Sequence, residues 1–317
     1  MGKKTVWVIC IINVLASVFA IGWVTKPYWS KPAPSAPWAQ PSSDPAPITP
    51  PSTNELWRMF EAARTSDQAL AALAALPDDE TAAPRLTEYR TLLQNTDSDS
   101  LGMEHITKRS AFLLFRGQRT VPGTPEHDWL LGYTLAKHRP VPEREAALRG
   151  AVLSALKEHK QKQAPADAEW RARLVNHLLE NDFGRGTSVE ALAVQALAAL
   201  TVEKIAHVER SAFVVRLANL LEPRNGAGEA VVLSALDAAR QIEARELLPV
   251  IRTVAKNPPS DACAQAAISW LGTFGNDSDA EWLEQYRAMT ATLHNTAANA
   301  LAQLHASTRF QSMDKVP

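Results

Sequence analysis

Cysteine is nearly absent from this chain: Cys10 and Cys263 are the two present, one in an apolar N-terminal run and one far downstream. No disulfide framework and no cysteine metal cluster can be assembled from them. Aromatics are 7% of the residues and glycine is limited to 13 of 317, while Ala and Leu abound, which suits helices and argues against an all-β fold. Charge of either sign is not in excess. Lys+Arg total 33 and Asp+Glu 34, a net of −1, so there is no global electrostatic reason to bind nucleic acid or acidic polymers. With 46% hydrophobic residues the chain still has ample material for real cores.

One long uncharged run does occur. Thr5 to Val24 is 20 residues without a charge, and a helix of that length rises roughly 30 Å, the thickness of bilayer hydrocarbon. Lys3 and Lys4 precede it, Lys26 and Lys31 follow, and Trp7, Trp23 and Trp29 lie near its ends, where indoles favour the headgroup region. The reading is an anchor over residues 1–25 with a cytoplasmic N-terminus and the bulk of the chain outside, periplasmic in a Gram-negative cell. A cleaved signal peptide ending at Val18-Phe19-Ala20 is the alternative and would give a secreted protein starting at Ile21. No lipidation motif is present.

Proline is abundant only locally: nine fall within residues 26–52. Repeated proline fixes φ and removes amide donors, so residues 26–53 read as a disordered, extended linker. From Asn54 on, apolar residues recur at helical spacing, with breaks at prolines such as Pro77, Pro122, Pro140, Pro165 and Pro223. The spacing predicts helices near 54–63, 67–76, 81–95, 104–117, 126–138, 142–162, 167–181, 187–200, 202–221, 227–240, 244–256, 260–274, 278–290 and 292–306. Asn54 and Asp67 are the expected caps of the first two. The fold class is all-α.

The helices are self-similar. Val152-Leu153-Ser154-Ala155-Leu156 recurs 80 residues later as Val232-Leu233-Ser234-Ala235-Leu236, with Val194-Gln195-Ala196-Leu197 near the midpoint. Shorter offsets extend a cadence Leu156, Leu197, Leu236, Leu271, Leu301, the mark of stacked helical hairpins. The stretch Ala266-Ala267-Ile268-Ser269-Trp270-Leu271-Gly272-Thr273-Phe274-Gly275-Asn276-Asp277 resembles the signature of a HEAT or HEAT-like repeat. That resemblance covers 227–306 best, 142–221 less closely and little before 141, and Gln265 stands where the motif's internal Arg is expected. It implies an α-solenoid of antiparallel hairpins over 142–308, preceded by a divergent helical segment over 54–141 and followed by a flexible tail, 309–317.

Chemistry is hard to place. The histidines never fall at a metal-ligand spacing, Gly275-Asn276-Asp277-Ser278-Asp279 lacks the later Gly and Glu of a calcium loop, and Gly184-Arg185-Gly186-Thr187-Ser188 lacks a Walker lysine and reads as a turn with a Ser/Thr cap. No catalytic constellation, cofactor site or metal site is expected. On helix 260–274 the stripe Ala264, Ala267, Ile268, Leu271 is narrow, and Trp270 projects about 100° from its centre. Trp270 is the candidate partner-binding residue, bordering a concave groove, with packing against an adjacent repeat as the competing reading; Trp282 aligns with Leu283, Tyr286 and Met289 and reads as core. The expected function is a membrane-tethered extracytoplasmic scaffold that binds another protein. An all-α enzyme with a cleft site, or a secreted form of the same array, is the alternative.

Overall fold

The computed structural model describes residues 51–77, 82–95, 102–160, 168–184, 186–204, 206–289 and 293–313. The anchor and most of the linker expected from the sequence lie outside these residues. The compact unit that begins at Pro51 is all-helical, with no strand among the described residues. Its helices are α1 (Thr53–Ala62), α2 (Ser66–Ala74), α3 (Ala83–Asn95), α4 (Met103–Arg119), α5 (Pro125–Leu135), α6 (Val141–Lys160), α7 (Ala168–Glu180) and α8 (Ser188–Val202). They are followed by α9 (Arg210–Leu221), α10 (Glu229–Gln241), α11 (Leu248–Lys256), α12 (Asp261–Phe274), α13 (Asp277–Met289) and α14 (His294–Met313).

Local chemistry sets the ends. The Ser52 hydroxyl accepts from Glu55 N–H while the Glu55 carboxylate accepts from Ser52 N–H at 2.7 Å, a full capping box two residues before the expected Asn54 cap. Thr65, rather than Asp67, caps α2, and Thr124, Thr187 and Ser260 cap α5, α8 and α12. Asn276 caps α13: its side chain accepts from Ser278 N–H at 3.1 Å, and Asp279 reaches back to Asn276 N–H at 2.8 Å. Two boundaries differ widely from expectation: α14 continues to Met313, past the expected end at 306 and into the expected tail 309–317, and the expected helix 202–221 begins late. α8 runs on to Val202, Lys204 takes a left-handed φ of 54°, and α9 starts only at Arg210.

The packing follows chain order. α2, α4, α6, α8, α10, α12 and α14 form one succession in which each packs on the one before and the one after. α1, α5, α7, α9, α11 and α13 each pack on the next helix in the chain, and α9 also meets α7 and α11. α3 is held by Tyr89, whose ring lies 5.3 Å from Phe60 of α1 and 4.7 Å from Phe112 of α4. The cadence leucines fall on successive members of the even succession: Leu156 on α6, Leu197 on α8, Leu236 on α10, Leu271 on α12 and Leu301 on α14. The two identical pentapeptides share their environments at four of five positions, with Val152 and Val232, Ser154 and Ser234, and Ala155 and Ala235 buried, and Leu153 and Leu233 half-buried; at the fifth, Leu156 is half-buried and Leu236 buried.

Small residues let these helices approach closely. Gly117 of α4 meets Gly150 of α6 backbone to backbone: a Cβ on Gly150 would lie 2.9 Å from Gly117 Cα. Gly272 of α12 meets Ala300 of α14 in the same way, with a Cβ placed 2.6 Å from Ala300 Cα. One continuous core runs from Leu56 to Leu271, and a second cluster of Ala264, Ile268, Leu283, Leu293, Ala297, Ala300, Leu301 and Leu304 joins α12, α13 and α14.

Candidate interaction surface

Two polar devices tie the helices to one another, and both bear on which surfaces are left for a partner. In the first, cations cap the C-terminal carbonyls of helices distant in the chain, where the last carbonyls lack intrahelical donors. Lys108 donates to Glu61 O at the end of α1, and Arg119 to Ala74 O and Leu76 O at the end of α2, at 3.4 and 3.2 Å. Arg139 donates to Gln94 O at 3.2 Å, and Arg144 to Thr134 O and Phe183 O at 2.7 and 2.9 Å. Arg216 reaches Leu179 O and Asn181 O at 2.6 and 3.2 Å, and Arg210 reaches Ile242 O and Glu243 O at 2.7 and 3.1 Å.

In the second device, a buried carboxylate at the third position of a helix faces an arginine on another. Glu143 of α6 pairs with Arg109 of α4 at 2.9 Å, Glu190 of α8 with Arg216 of α9 at 2.5 Å, and Asp279 of α13 with Arg252 of α11 at 2.6 Å. The Arg109–Glu143 contact is an ion pair without hydrogen-bond alignment at Arg109 Nε, while Tyr133 donates its hydroxyl to the other Glu143 oxygen. Burial raises the Glu143 carboxyl above its ordinary range, against the pull of Tyr133 and Arg109. Burial likewise pushes the Tyr133 and Tyr89 phenols up to about 12. Titratable groups thus do converge here, but Glu143 is 0% exposed and Arg109 3%, so a substrate cannot reach them.

The histidines His127 and His177 also sit inside. His177 shares a 2.8 Å hydrogen bond with the Thr134 hydroxyl, and burial, helped by the nearby His127, holds it down at about 4. Burial lowers His127 as well, and its ring packs edge-on to Trp170 with centroids 6.3 Å apart. Among the described residues no three or more His, Cys, Asp or Glu side chains are grouped to hold a metal ion. Cys263 is buried, with its thiol pushed up by burial, as fits a packing residue.

Trp270 is in the interior. It is 1% exposed, its ring 4.9 Å from that of Phe274, so it borders no groove. The reason is that α12 is surrounded: α10, α11 and α14 all pack on it, and the narrow Ala/Ile/Leu stripe is only part of its buried surface. Trp282 sits at the core's edge, packed against both hydrophobic clusters. α13 packs mainly on α14, and Trp282 is half-buried, stacked on Tyr286 at 4.9 Å, beside a small cavity of about 170 Å³ that Arg252, Lys256 and Asp279 also line.

The larger opening lies at the start of the unit. An open groove of about 620 Å³ runs between α1 and α3, lined by Asn54, Trp57, Arg58, Glu61 on one side and Arg85, Glu88, Tyr89, Leu92 on the other. Asn54, Arg58 and Glu61 are spaced i, i+4, i+7 and Arg85, Glu88 and Leu92 i, i+3, i+7, so each wall is one exposed helical stripe. Leu92 is 52% exposed, unusual for a leucine, while Trp57 is 3% exposed and belongs to the core beneath. Sequence reading missed this groove because the stripes look like ordinary solvated faces. The signal was the single leucine, Leu92, on an otherwise charged stripe. No protein-family model, no curated protein and no solved structure matches the chain.

Proposed function

We propose that this chain is a membrane-tethered scaffold: a helical anchor over Thr5–Val24, a proline-rich spacer, and an α-solenoid of HEAT-like hairpins that binds another protein on the extracytoplasmic side. The observation that carries the array is the packing order, in which substantial helix contacts join helices one or two places apart in the chain. Such arrays bury each unit against its neighbours and leave long surfaces for a partner. The anchor rests on the uncharged run and its Lys and Trp flanks. Among the described residues no helix is long and apolar enough to cross a membrane, so the tether falls to the N-terminal run alone.

Two measurements test the proposal. Protease added to intact cells or spheroplasts should cleave within 54–317, and protection until the membrane is breached would refute export. Determining the N-terminus of the protein from membranes decides between a retained anchor and a secreted form that starts at Ile21. Trp270→Ala is no test of binding, because it empties a core site; surface substitutions on exposed residues are the ones to use.

A further inference from the structure

The groove between α1 and α3 is lined by four charges outside any ion pair, of which Arg58 also acts on Glu55 through space. Arg58 and Glu61 on α1 and Arg85 and Glu88 on α3 are all exposed, and none makes an ion pair among the described residues. The buried carboxylates are each held by an arginine, Glu143 by Arg109, Glu190 by Arg216 and Asp279 by Arg252; exposed charges outside any ion pair occur elsewhere too, Asp67, Glu180 and Lys256 among them, but here four line one groove. The α3 wall also offers apolar surface, the half-buried Tyr89 ring and the exposed Leu92.

The geometry points to this groove as the seat of one amphipathic helix from a partner protein, with an apolar stripe flanked by acidic and basic residues about a turn apart. This rests on the scaffold reading above and names the partner's chemistry. A groove between two helices with an apolar floor is the shape a third helix fills, placing side chains at i, i+3, i+4 and i+7. Charge complementarity selects among occupants. Each wall carries one cation and one carboxylate three residues apart, so a ligand of single sign, such as a nucleic acid or an anionic bilayer, would gain at Arg58 and Arg85 and lose at Glu61 and Glu88. A helix with both signs on its flanks satisfies all four. Its carboxylates meet the two arginines and its lysines or arginines meet the two glutamates, while its apolar stripe covers Leu92.

The test places p-benzoylphenylalanine at position 92 of the full-length chain in its own membranes, followed by irradiation and mapping of the attached segment by mass spectrometry. The expected adduct lies in a partner segment with apolar residues at helical spacing and mixed charge on both flanks. A synthetic peptide of that segment should bind the purified full chain in detergent. Arg58→Glu with Arg85→Glu should weaken that binding at least tenfold without loss of helicity, and reversing the peptide's facing carboxylates to lysine should restore it. An adduct in a proline-rich segment, in residues 26–50 of this chain, in a second copy or in lipid would overturn the proposal, as would no adduct at all. The same photoreactive residue at Val215, 60% exposed on α9, separates the two readings: adducts there but none at 92 remove the groove helix and leave the scaffold, and none at either position removes both.

Discussion

Replacing Gly117 by alanine should destabilise the protein, although alanine is the better helix former. A Cβ at Gly117 lies 2.5 Å from the carbonyl carbon of Gly150 and closer still to its Cα, about 0.9 Å short of the 3.4 Å at which ordinary contact begins. The obstacle is the backbone of α6, which cannot swing aside as a side chain could. Overpacking of this kind costs ~1–3 kcal/mol, and rigid backbone on both sides puts this case near the top of that span. Relief of the glycine's propensity penalty returns ~1 kcal/mol, leaving a net loss of ~2 kcal/mol. Gly132→Ala is the matched control: it sits in α5, is exposed, and its Cβ would meet nothing within 4 Å, so it should stabilise by ~0.5–1 kcal/mol. Urea denaturation followed by far-ultraviolet circular dichroism measures both. If Gly117→Ala proves as stable as the parent protein, or rises alongside Gly132→Ala, α4 and α6 do not cross at this pair.

Further expectations concern the buried charges and histidines. Glu143→Ala strands Arg109 in the interior and should cost ~3–5 kcal/mol in urea denaturation. Arg216→Ala strips two carbonyls and the buried Glu190 and should cost a similar amount, whereas Arg210→Ala loses an exposed pair with Glu246 worth under ~1 kcal/mol together with its caps on Ile242 O and Glu243 O, and should cost less than Arg216→Ala. His177, held at about 4 against an ordinary 6.5, favours proton uptake by the unfolded chain. Its stabilisation is full above pH 6.5 and is lost as pH falls toward 4, a loss of about 3 kcal/mol. A His177→Gln variant should flatten that acid slope in denaturation midpoints taken between those limits; Glu143, raised by burial, changes in the opposite sense and remains in both proteins.

Helix positions were largely legible because each helix has its own apolar spacing and its own punctuation, and the two identical pentapeptides fall on α6 and α10, two members of the same succession. The surroundings of a helix were not legible. Periodicity reports the direction of a helix's most apolar face but not how many neighbours enclose it, and so it placed Trp270 at a groove rather than in the interior. The early segment looked divergent because its contacts to α6 rest on Gly117 and Arg109 rather than on an Ala/Leu motif. The cation-to-carbonyl ties escaped notice for a related reason. Arg216 and the end of α7 lie 35 and 37 residues apart in the chain, and a single sequence carries no mark of which carbonyl a given guanidinium will find.

Packing confined to chain neighbours also bears on how the protein is made. As the chain leaves the ribosome, each described helix makes its main contacts with partners synthesised one or two helices earlier, so among the described residues loop closure stays cheap. The last pair, α13 and α14, joins through its own small cluster on α12. A ribosome that stops short near residue 276 would therefore release a protein with the earlier helices already assembled, ending in a greasy seam of Ala264 and Ile268.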